Sequence, residues 1–174
     1  NYGKQEIVSN TVEGGIHRYN YSSWGERTKK LANALKSLNL NQGDKVGTLA
    51  WNGYRHLEIY YATSCSGLIC HTLNPRLHPD QVSYIVNHAE DKVLCVDLNI
   101  LPLIEKASEN FKTVEALVIM TDEKNMIKPN IKDGIKVICY EEFIKDQSEE
   151  YIWPQLDEKT ASSLCYTSGT TGNP

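Results

Sequence analysis

Residues 93–120, VLCVDLNILPLIEKASENFKTVEALVIM, decide the fold class. Val93 to Asp97 and Val114 to Met120 are apolar runs of strand length, and Ile100 to Phe111 between them has the length and apolar spacing of a helix. A strand apolar at nearly every position is covered on both faces, as in a parallel sheet with helices on each side. The same unit repeats outward from this stretch. Upstream, Lys45 to Ala50 reads as a strand and Tyr54 to Ser66 as a helix ended by Gly67, which tolerates left-handed backbone. Leu68 to Leu73 reads as the next strand, closed by Asn74-Pro75. A helix then opens at Pro79-Asp80, with Val82, Ile85, Val86 and Ala89 at i, i+3, i+4 and i+7. Nearer the N-terminus, Ser23 and Glu26 have capping-box spacing, and Trp24, Thr28, Leu31, Leu35 and Leu38 recur at helical steps. Downstream, Thr121 to Gly134 is irregular, Lys136 to Tyr140 a strand, Glu141 to Asp146 a short helix and Gln147 to Gln155 a surface loop. Ala161 to Tyr166 is the last strand. The pattern predicts an α/β fold, a partial doubly wound, mostly parallel sheet with helices on both faces.

Composition fits such a core. The 174 residues are 40% apolar and 23% charged, with 18 Lys plus Arg against 22 Asp plus Glu, a formal charge of −4. That excludes a disordered chain, and the scattered positive charges argue against a nucleic-acid partner. No apolar run approaches the ~20 residues of a membrane span, so no transmembrane segment is expected. Five cysteines, an odd number without C-x-x-C spacing, predict reduced thiols in a cytoplasmic compartment. Cys70, Cys95, Cys139 and Cys165 fall in expected strands and read as core thiols. The five histidines lack ligand spacing, so no metal ligand is assigned. Tyr60, Tyr61 and Trp24 read as core aromatics, Arg76 as a structural salt-bridge partner, and Glu141-Glu142 as a solvated face.

The last strand runs into Thr167-Ser168-Gly169-Thr170-Thr171-Gly172-Asn173-Pro174. Glycines that admit close backbone approach, successive N–H groups and hydroxyl donors can together wrap an anion. Ser, Thr and Gly also build plain surface turns, and spacing alone leaves both readings open. Other nucleotide loops do not fit. Gly169 and Gly172 are three apart with no Lys, unlike a Walker loop, and no dinucleotide fingerprint occurs. Ser168 lacks the flanking glycines of a nucleophile elbow.

Leu164-Cys165-Tyr166-Thr167-Ser168-Gly169-Thr170-Thr171-Gly172-Asn173-Pro174 resembles the signature phosphate loop of the AMP-forming adenylate synthetases, the group of acyl-CoA synthetases, luciferases and peptide-synthetase adenylation domains. Ser66-Gly67-Leu68-Ile69-Cys70-His71-Thr72-Leu73-Asn74-Pro75-Arg76-Leu77 resembles the family's upstream strand and Asn-Pro element. Trp51 to Glu58, Asn74 to Pro79 and Val86 to Asp91 further resemble the fatty-acyl-CoA synthetase branch. The likeness covers nearly all of this chain and about the first third of a family member.

The resemblance implies that residues 1–174 are an incomplete N-terminal portion of a single AMP-binding domain, ending in the phosphate loop at 166–174. It implies a parent acid–thiol ligase that activates a medium- or long-chain fatty acid, or a methylthio-alkanoic acid, with ATP to acyl-AMP and transfers the acyl group to coenzyme A. Thr167, Ser168, Gly169, Thr170, Thr171 and Gly172 would hold the ATP phosphates, with Mg²⁺ sharing the charge. No catalytic residue falls within the chain, and the 174 residues alone are expected to be inactive. Partners are the carboxylic acid, ATP and CoA, and a homodimer is compatible with the reading. The alternatives are an adenylation enzyme feeding a carrier protein and a non-catalytic nucleotide-binding module.

Overall fold

The computed structural model describes residues 2–167. The chain opens with an antiparallel hairpin of β1 (Glu6–Asn10) and β2 (Ile16–Asn20). It continues through α1 (Tyr21–Lys36), β3 (Lys45–Leu49), α2 (Tyr54–Cys65), β4 (Ile69–Thr72), α3 (Pro79–Ala89), β5 (Asp91–Val96), α4 (Leu101–Ala107), β6 (Ala116–Ile119), β7 (Lys136–Cys139), α5 (Tyr140–Lys145) and β8 (Ser163–Cys165). The six strands β3 to β8 form one parallel sheet in the order β7-β6-β5-β3-β4-β8. The α/β class and its parallel sheet are as expected.

The apolar strands are explained by two cores. Along β5, Val93 and Cys95 enter a layer built with Leu31, Ala32 and Leu35 of α1, Ile59 and Ala62 of α2, and Ile144 of α5. Leu94 and Val96 enter the opposite layer with Val82 and Ile85 of α3 and Ile104 of α4. Helices therefore cover both faces, and every β5 position is buried or nearly so because alternate side chains feed alternate cores.

Local departures from the sequence reading have identifiable causes. Asn20, not Ser23, caps α1, its Oδ1 accepting the Ser23 N–H at 3.0 Å, so the cap lies three residues earlier. The expected helix over Ile100 to Phe111 is seven α-helical residues between 3₁₀ turns. Pro102 has no N–H to return to Leu98, and the Leu101 N–H takes that carbonyl in a tighter turn. The hairpin lies outside the strand-helix pattern. Its signal is Gly14-Gly15, both at positive φ (94° and 97°) in the turn. Tyr60 and Tyr61 are corrected from core to surface, because the stripe of α2 that faces the core runs through Tyr54, Arg55, Glu58, Ile59 and Ala62. Cys165, on edge strand β8, is exposed and Cys139 half-buried, whereas Cys70 and Cys95 are core thiols. No helix among the described residues is long and apolar enough to cross a membrane.

Candidate functional site

All six parallel strands deliver their carboxyl ends to one edge, where open α/β sheets take ligands at the point of reversed strand order. Here that point lies between β3 and β5, and the chain itself fills it. The Asp97 carboxylate after β5 accepts the Trp51 N–H after β3 at 2.7 Å. Glu13, from the hairpin turn, accepts from Arg55 Nη1 at 2.7 Å and from Thr121 Oγ1 at 2.9 Å. Only about 30 Å³ remains between Thr11, Val12, Trp51, Asp97 and Met120.

One flank of the edge stays open. β4 ends in Thr72 and turns through Leu73-Asn74, and β8 pairs with it and leaves through Tyr166 to Thr167. Thr72, Asn74, Gln81, Ile85, Tyr166 and Thr167 border a cavity of about 250 Å³ between these strand ends and α3. Asn74 of the upstream motif and Tyr166-Thr167 of the terminal one, roughly ninety residues apart, thus border the same cavity. Thr167 is exposed at the cavity mouth. Ser168, Gly169, Thr170, Thr171 and Gly172 lie outside the described residues. A more open cavity of about 390 Å³ runs between the hairpin and the start of α2, against Ser9, Tyr54, His56 and Tyr60. It contains no residue of β4, β8 or the loop, and belongs to the seating of the hairpin.

Beneath the open flank is a pair the spacing of motifs did not reveal. His71 on β4 and Asp91 at the head of β5 are both fully buried, with His71 Nδ1 at 2.9 Å from each carboxylate oxygen. Strand β3 passes between them, and Gly47 is what lets them meet. A Cβ there would stand 2.9 Å from Asp91 Oδ2 and 2.5 Å from Leu94 Cδ2. Burial pushes the Asp91 carboxyl up and the His71 hydrogen bond opposes it. The Tyr166 ring lies 5.3 Å from the His71 ring, and its hydroxyl hydrogen-bonds His88 Nδ1 on α3. Burial raises that phenol as well.

A second polar cluster ties the helices of the other face together. Glu58, completely buried, receives Arg27 Nε at 2.7 Å, Arg27 Nη2 at 3.2 Å and the Tyr140 hydroxyl at 2.6 Å. Glu141 receives both Arg27 Nη groups, Arg55 Nε at 2.8 Å and the Tyr54 hydroxyl at 2.9 Å. Burial drives the Glu58 carboxyl up despite Arg27. Burial also works to raise Glu141, but the two guanidiniums outweigh it and leave that carboxyl below its ordinary range. Glu141 is therefore no solvated-face residue. The available signal was the pair Arg55 and Glu58 on the apolar stripe of α2. Arg76, expected in a salt bridge, instead lies 5.7 Å over the Trp51 ring. Among the described residues no three His, Cys, Asp or Glu side chains converge to hold a metal ion.

Comparisons agree with this geometry. The family profile of AMP-binding enzymes matches residues 2–174. A medium-chain-fatty-acid–CoA ligase of Ectopseudomonas oleovorans is 44% identical over 99% of this chain and 31% of its own length. A 3-methylmercaptopropionyl-CoA ligase of Ruegeria pomeroyi is 44% identical over 99% of this chain and 32% of its own. The chain thus spans about a third of the curated relatives it matches. The crystal structure of an anthranilate CoA ligase in complex with anthranoyl-AMP superposes with a TM-score of 0.82 at 24% identity, over 99% of this chain and 31% of that one. With strand order, terminal motif and family profile in accord, the chain belongs to the AMP-binding enzyme family.

Proposed function

We propose that the chain carries the phosphate-holding part of a ligase that activates a carboxylic acid with ATP, forms acyl-AMP and passes the acyl group to coenzyme A. The acid is a medium- or long-chain fatty acid or a methylthio-alkanoic acid, the substrate classes named for relatives at 40–44% identity. The observation that carries the reading is the convergence of Thr72 to Asn74 and Tyr166-Thr167 on one cavity at the carboxyl edge of the sheet.

Carboxylate and triphosphate repel each other, so their reaction needs positioning and dispersal of charge. Thr167 through Gly172 supply backbone N–H groups and hydroxyls that follow charge onto the departing pyrophosphate, and their glycines permit close approach. Mg²⁺ neutralises phosphate charge when bound with the nucleotide, but the described residues offer it no ligand set, and no step is routed through it. A homodimer and a cytoplasmic setting complete the reading.

The test is carboxylate-dependent ATP–pyrophosphate exchange by the polypeptide of the uninterrupted reading frame that contains these residues. Acetate, octanoate, palmitate and 3-methylthiopropionate are compared. Exchange that rises with octanoate, palmitate or the methylthio acid is expected. Exchange indifferent to every acid sinks the proposal.

A further inference from the structure

We infer that His71 and Asp91 are positioning residues for the loop that begins at Thr167, acting through the ring of Tyr166. The inference rests on the reading of that loop as the phosphate holder. Asp91 faces Nδ1 with two oxygens at 2.9 Å, which places the proton on Nδ1 and fixes the plane of the imidazole. That plane supports the Tyr166 ring, at 5.3 Å and 43°. His88, on the other side, holds the Tyr166 hydroxyl and is itself stacked at 5.6 Å on Tyr84. The residue from which the loop departs is thus held between a buried dyad and a helix.

A purely structural role accounts poorly for the same atoms. Two ionisable side chains at zero exposure are an expensive way to fill a core, and an apolar pair of similar volume is often at least as stable. His71 Nε2, buried, has no partner among the described residues. β3 also gives up a side chain at Gly47 to let the dyad form. These features are directional: they orient one ring beside one strand exit, at the cavity that Tyr166 and Thr167 border.

The test uses the polypeptide of the full reading frame that contains these residues, ¹⁵N-labelled at threonine, serine and glycine, and inorganic pyrophosphate, read by amide shifts of Thr167 to Gly172. Three altered chains are compared with the parent. The double variant His71→Phe/Asp91→Leu keeps an aromatic ring against Tyr166 and leaves no buried charge. His88→Phe changes an exposed side chain, keeps the stack on Tyr84 and removes the acceptor for Tyr166. Asp91→Asn keeps an acceptor for the Nδ1 proton. The first two should melt cooperatively yet need about tenfold more pyrophosphate for half-saturation, the scale on which groups that orient a binding site act. Asp91→Asn should bind within about twofold of the parent and retain the Nδ1-protonated ring in ¹⁵N imidazole spectra, a rescue that a mere space-filling role does not require. Parent-like affinity in both the double variant and His88→Phe overturns the positioning role and leaves the loop reading standing. No pyrophosphate response in the parent overturns the loop reading itself.

Discussion

Replacing Glu141 by Gln, with Glu142→Gln as the neighbouring control, tests whether two adjacent acids of one short helix do different things. Glu141 accepts four hydrogen bonds from Arg27, Arg55 and Tyr54, with 22% of its side chain exposed. Glu142 meets only Lys145 one turn away, at the surface. Removing one partner of a buried ion pair costs about 3–5 kcal/mol. Here Arg27 keeps Glu58, Arg55 keeps Glu13, and water reaches part of the site, so the lower end applies, about 3 kcal/mol. For a chain of this length that is a fall of about 6–12 °C in Tm, whereas Glu142→Gln stays within the surface range of about 0.5 kcal/mol. Scanning calorimetry at neutral pH, with urea unfolding for the slope, reads both. The sign with pH follows. A carboxyl held below its ordinary value of 4.5 stabilises the fold above that pH and loses its contribution as the pH falls through the folded value. Glu141→Gln should therefore flatten the acid limb of the stability curve below about pH 4.5. Glu58, raised by burial, tilts the opposite way and is left intact. Equal losses in the two variants, or an unaltered acid limb in Glu141→Gln, refute the reasoning.

Gly47→Ala should destabilise by about 1–3 kcal/mol, because the new methyl overlaps Leu94 and the Asp91 carboxylate, and urea midpoints measure it. Alkylation of the native chain followed by peptide mass spectrometry should label exposed Cys165 first. Cys70, whose thiol burial pushes up to about 11, and fully buried Cys95 should react only on unfolding. Asn33→Ala removes the amide that donates to the Ser148 and Glu150 carbonyls at 2.9 and 3.0 Å. It should cost about 1 kcal/mol and speed hydrogen exchange over residues 147–155 while β5 stays protected. Alanine at Thr167, Ser168, Thr170 and Thr171 together should abolish acid-dependent pyrophosphate exchange by the polypeptide of the full reading frame, and retained exchange removes the phosphate assignment.

Periodicity carried most of the fold because the parallel strands are short, apolar and separated by amphipathic helices. The β5 run of Val93 to Val96 could hardly be anything but a strand buried on both faces. What the pattern could not carry was side-chain partnership across the chain. Glu141 looks like any acid at the start of a surface helix until Arg27, 114 positions away, arrives beside it. His71 looks like an isolated histidine until Asp91 meets it across Gly47. The hairpin escaped because its inner face is Ile7, Ser9, His17 and Tyr19, too mixed to read as an apolar alternation. At the site, composition left a turn and an anion cradle both open and the family resemblance alone proposed Thr167 to Gly172, while the cavity at Thr72 to Asn74 depended on which strand β8 joins.

That choice has a consequence in time. β4 takes β3 on one side as soon as both have emerged, but its other side waits for β8, synthesised roughly ninety residues later. At about 5–20 residues per second the interval is several seconds, during which a growing chain carries a bare strand edge at the place where its motifs will meet. For those seconds the edge at Ile69 to Thr72 is open to pairing with other chains, before the cavity exists.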